Sequence, residues 1–133
     1  MDGYGKRILV IADDPGDRAL LDTRLEQEGY AVYTACDGIA GADELRRRHF
    51  DVVLADYHMP GINGLEFAEF IRMTWPDTPV ILLTGELNDG TENPPELEAV
   101  ARIRKPYEAT LLLSVLRTVV QPVSAEQTVS PMV

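Results

Sequence analysis

The feature that most constrains this chain is a regular alternation of short apolar runs with helix-period stretches. The runs are Ile8–Ala12, Ala31–Ala35, Val52–Ala55, Val80–Thr84 and, more weakly, Arg102–Arg104. Four of them are rich in β-branched residues and bounded by Asp, Gly or Pro, as buried strands are. Between them lie amphipathic stretches over residues 15–28, 38–48, 64–75 and 108–120. The first offers Asp14 as N-cap, Pro15 at the first helical position and Gly29 as stop. The third opens with Asn63 and Glu66 at capping-box spacing. Strand and helix alternating in this way predict an α/β fold. Its core is a five-stranded parallel sheet in the doubly wound, flavodoxin-like order 2-1-3-4-5, joined by right-handed crossovers. Residues 86–95 contain Gly90 and the Pro94-Pro95 pair, so a fourth helix there is short or irregular.

Length and charge narrow the function. A chain of 133 residues suits one domain. The division expected is an N-terminal extension over 1–5, a domain over 6–120 and a flexible tail over 121–133. One cysteine, Cys36, excludes an internal disulfide and a cysteine-based zinc cluster, and fits a cytoplasmic setting. No apolar run is long enough to cross a bilayer, and no secretory signal opens the chain. With 22 acidic against 12 basic residues, the net charge of −10 argues against a nucleic-acid backbone or an anionic membrane as partner.

Ligands of open parallel sheets bind beyond the carboxyl ends of the strands. Asp13 and Asp14 follow the first run, Asp56 the third, Thr84 ends the fourth, and Lys105 follows the fifth. The predicted order brings these together on one rim. Two carboxylates about 4 Å apart repel by roughly 4 kcal/mol at an effective dielectric near 20. Three of them need a cation or raised pKa values. Oxygen-only donors suit Mg²⁺. Metal, ammonium and hydroxyl around a central carboxylate are what phosphoryl transfer requires, with Asp56 as nucleophile.

Four motifs then stand in order: Ile8-Leu-Val-Ile-Ala-Asp13-Asp14, Asp56-Tyr-His-Met-Pro-Gly-Ile-Asn-Gly64, Leu83-Thr84-Gly85 and Lys105-Pro106. Together they resemble the receiver domain of bacterial two-component response regulators, of the stand-alone, chemotaxis-regulator-like kind. The resemblance covers about residues 6–120. It implies that Asp56 accepts a phosphoryl group from a sensor histidine kinase or phosphotransfer protein. It implies that Asp14 and Asp56 hold Mg²⁺ directly, that Asp13 acts through water, and that the backbone carbonyl of His58 completes the metal site. Lys105 would pair with the phosphoryl group and Thr84 would bond it. Such a protein is a monomer or weak homodimer that signals to a downstream protein by contact, and is a switch rather than a turnover enzyme. Two departures stand out: Arg102 replaces the family's aromatic residue three before the lysine, and Pro94-Pro95 interrupts the segment that normally forms the fourth helix. They favour, as an alternative, a receiver-like adaptor whose partner contacts do not depend on phosphate. An FMN protein is disfavoured by the acids of the first loop, and an aspartate-dependent phosphatase by the lack of a second acid in Asp56-Tyr57-His58.

Overall fold

The computed structural model describes residues 5–57, 61–84, 101–104 and 109–120. The elements run β1 (Arg7–Ile11), α1 (Pro15–Gln27), β2 (Ala31–Ala35), α2 (Gly38–Arg47), β3 (Val52–Asp56), α3 (Gly64–Thr74), β4 (Val80–Thr84), β5 (Ala101–Arg104) and α4 (Ala109–Val120). All strand pairs are parallel, and the order is β2-β1-β3-β4-β5. The flavodoxin-like arrangement of the first four strands is the one expected from the alternation. The Pro94-Pro95 segment lies outside the described residues.

Strand periodicity sorts the core into two layers. Leu9, Ile11, Val53, Ala55 and Leu82 pack with Ala42 and Leu45 of α2 and Phe67, Ala68 and Ile71 of α3. Ile8, Val10, Val52, Leu54, Ile81 and Leu83 pack with Leu21 and Leu25 of α1 and Leu112 and Leu116 of α4. Side chains of period two therefore feed both faces, and each face needs its own helices. This is why the strands read as unbroken apolar runs.

The helix ends are set by local hydrogen bonds. Asp14 caps α1, its Oδ2 accepting from the Asp17 amide at 2.8 Å, and Gly29 leaves that helix at φ 95°. Asp37 caps α2, its Oδ1 accepting from the Ala40 amide at 2.8 Å. Asn63 and Glu66 form the expected capping box on α3. These caps place each helix start just past a strand's carboxyl end.

Phe50 is fully buried under the α2 layer, with its ring edge-on to Tyr33 at 5.4 Å. Phe50→Ala removes that payload and leaves a cavity. Urea unfolding should show a loss of about 3–5 kcal/mol.

Candidate functional site

The site grows from the end of β3. All five residues of this strand are buried, including the terminal Asp56, which is only 6% exposed. Among the described residues it is the one buried side chain that carries a formal charge. A carboxylate is costly to place there, and packing does not call for one. β3 lies between β1 and β4, so Asp56 sits at the sheet's centre, next to the turn after β1 and the end of β4.

The pairing register shows what flanks Asp56. On one side it stands opposite Leu83 of β4, and the Tyr57 amide donates to the Leu83 carbonyl at 2.9 Å. On the other side Ile11 stands opposite Ala55. The same register carried one residue further sets Ala12 opposite Asp56. Ala12 belongs to the same core layer as Val10 and Leu54. Alternation therefore turns its methyl to the face that Asp56 takes. Asp13 and Asp14 come after this point and are exposed.

The turn carrying these acids is tied down. Arg18, on the first turns of α1, donates through Nη1 to the Ala12 carbonyl at 2.7 Å and the Asp13 carbonyl at 3.3 Å. The Ala12 amide extends the β1–β2 ladder to the Ala35 carbonyl at 3.1 Å. Asp14 has given one carboxylate oxygen to its helix. Among the described residues no three His, Cys, Asp or Glu side chains are grouped to hold a metal. The donor chemistry still fits Mg²⁺. Asp56 and the turn acids are hard oxygen donors on neighbouring strand ends, and this ion keeps several waters and needs few protein ligands. Thr84 closes β4 at the same rim. His58 and Lys105 lie outside the described residues, as does the side chain of Arg102.

Three contributions escape a reading of the sequence alone: the clamp by Arg18, the alanine in register with Asp56, and the close fit of Gly64. A Cβ on Gly64 would stand 2.6 Å from the Asp56 carbonyl oxygen and 2.6 Å from Tyr57 Cα. Both are backbone atoms next to the buried carboxylate, so neither yields cheaply. Glycine lets α3 start directly against the strand end that presents Asp56. Gly64→Ala should therefore cost about 1–3 kcal/mol of stability in thermal or urea unfolding. It should also shift the amide resonances of Asp56 and Tyr57, which a distant surface mutation leaves in place.

The response regulator receiver domain family model matches residues 8–117. Sporulation initiation phosphotransferase F of Bacillus subtilis is 31% identical over 105 residues, covering 77% of this chain and 84% of that protein. Transcriptional regulatory protein GlrR of Escherichia coli is 40% identical over 77 residues, 58% of this chain, and the match spans only 17% of GlrR. The crystal structure of response regulator TrrA from Thermotoga maritima in complex with Mg²⁺-BeF superposes with a TM-score of 0.77 at 33% identity, covering 86% of this chain and 98% of TrrA. TrrA in complex with histidine kinase ThkA gives a TM-score of 0.76. Receiver domains are signalling switches of two-component systems rather than turnover enzymes. With the family matched from β1 into α4 and the buried aspartate at the end of β3, this chain belongs to the response regulator receiver domain family.

Proposed function

We propose that this chain is a phosphoacceptor switch in which Asp56 is the residue phosphorylated. The observation that carries the reading is the burial of Asp56 at the carboxyl end of the central strand, where a charged side chain serves chemistry better than packing. A carboxylate oxygen of Asp56 attacks the phosphorus of a phosphohistidine on a sensor histidine kinase or phosphotransfer protein. The new O–P bond forms as the N–P bond breaks, and the imidazole leaves with its electron pair. The product is an acyl phosphate on Asp56. TrrA was crystallised in complex with the histidine kinase ThkA, which supports such a donor as the partner for a chain of this fold.

The remaining roles belong to the same proposal. Asp56 and an acid of the Asp13-Asp14 turn hold Mg²⁺, with the His58 carbonyl as a further donor. The bound ion would offset the negative charge of donor and acceptor. Lys105 neutralises a phosphoryl oxygen and Thr84 donates a hydrogen bond to another. The phosphorylated form then binds a downstream protein.

Incubation with Mg²⁺ and a small acyl phosphate, followed by intact-mass measurement, tests this directly. The account expects the mass of one phosphoryl group, dependent on the divalent cation and absent from Asp56→Asn. Equal labelling of Asp56→Asn would place the phosphoryl group elsewhere. No labelling of the unaltered chain would favour the adaptor reading.

A further inference from the structure

The two acids of the β1–α1 turn do different work in this structure. Asp14 is the α1 N-cap. Its backbone is extended, at φ −76° and ψ 121°, and its Oδ2 accepts from the Asp17 amide at 2.8 Å. Gly16 keeps this arrangement open, since a Cβ there would come within 3.2 Å of the same oxygen. The carboxylate is thereby drawn over the first turn of α1, where the amides of a helix start carry partial positive charge. A negative side chain is stabilised in that place, and a cation is not. Asp13 differs on each point. Its carboxylate makes no hydrogen bond among the described residues. Its carbonyl is held by Arg18, so the backbone carrying it is fixed while the side chain stays uncommitted.

Position 12 completes the pattern. Ile11 pairs with Ala55 on the adjacent strand, so the register carried one residue further sets Ala12, which is 1% exposed, beside Asp56. A carboxylate there would be a charged neighbour of Asp56 at the end of the adjacent strand. The chain has a methyl group instead.

We propose that Asp13, not Asp14, is the turn acid that holds Mg²⁺ with Asp56, that Asp14 is committed to capping α1, and that Ala12 leaves this a two-carboxylate site of reduced charge. The proposal rests on the phosphoacceptor reading and reverses the assignment that the family resemblance suggested for the two acids. Two carboxylates are sufficient donors for an ion that retains several waters. With one acid fewer beside Asp56, the metal-free fold carries less like-charge repulsion.

Isothermal titration with MgCl2, paired with melting temperatures in EDTA, separates the roles. Asp13→Asn should lower Mg²⁺ affinity by about tenfold or more without lowering the metal-free melting temperature. Asp14→Asn preserves the cap, because asparagine caps as well as aspartate, and should leave both quantities nearly unchanged. Asp14→Ala should lower the metal-free melting temperature without a matching loss of Mg²⁺ affinity. Ala12→Asp should tighten Mg²⁺ binding and lower the metal-free melting temperature, with Mg²⁺ restoring it. A loss of affinity in Asp14→Asn as large as in Asp13→Asn would overturn the assignment. So would an Ala12→Asp chain that binds Mg²⁺ no more tightly than the original. Labelling of the unaltered chain by the acyl phosphate keeps the two readings apart. If Asp56 is labelled and Asp14→Asn loses Mg²⁺, this inference alone falls. If the unaltered chain neither binds Mg²⁺ nor is labelled, both fall.

Discussion

One constraint governs the rest of this molecule: a carboxylate is held at the buried end of the central strand. Asp56 gains nothing from its apolar surroundings, yet β3 is walled by β1 and β4 and covered on both faces. Its carboxylate stands at the strand's carboxyl end, where burial of a charge is costly. That end is where the neighbouring elements converge: the Asp13-Asp14 turn, the start of α3 on Gly64, and the last residue of β4. The parallel sheet puts them all on one rim, because every strand ends on the same side.

The division of labour among the acids follows from register and capping. Parallel pairing sets Ile11 opposite Ala55, so the next residue after β1, beside Asp56, is an uncharged alanine. The helix that begins three residues later needs a cap and takes Asp14. On our proposal the acid left for the metal is Asp13, on a backbone that Arg18 pins at the Ala12 and Asp13 carbonyls. On that proposal, helix capping and metal binding draw on neighbouring side chains, and the Asp14–Asp17 hydrogen bond sets which acid caps.

Much of this was legible in the sequence. The runs of Val, Ile and Leu marked the strands, because a strand buried on both faces loses its polar alternation. Asp14-Pro15 and Asn63 with Glu66 marked helix starts, because their bonds are local. Asp56 stood out by its place at the end of an apolar run, followed by a glycine-rich turn. Less visible were features set by residues far apart in the chain. Ala12 read simply as the last residue of a strand, since nothing local reveals that Asp56 stands opposite it. Nothing local marks Arg18, whose guanidinium reaches back to the turn. Asp37 followed its strand like the other acids, and only the structure shows it to be the cap of α2.

The central claim is that Asp56 is the residue that carries the phosphoryl group. The most direct measurement is borohydride reduction of the chain phosphorylated with Mg²⁺ and an acyl phosphate, followed by peptide mapping. Reduction converts an aspartyl phosphate to homoserine and so marks the acceptor covalently. The account predicts homoserine at position 56 and nowhere else. Homoserine at position 13 or 14, with position 56 left as aspartate, would contradict it.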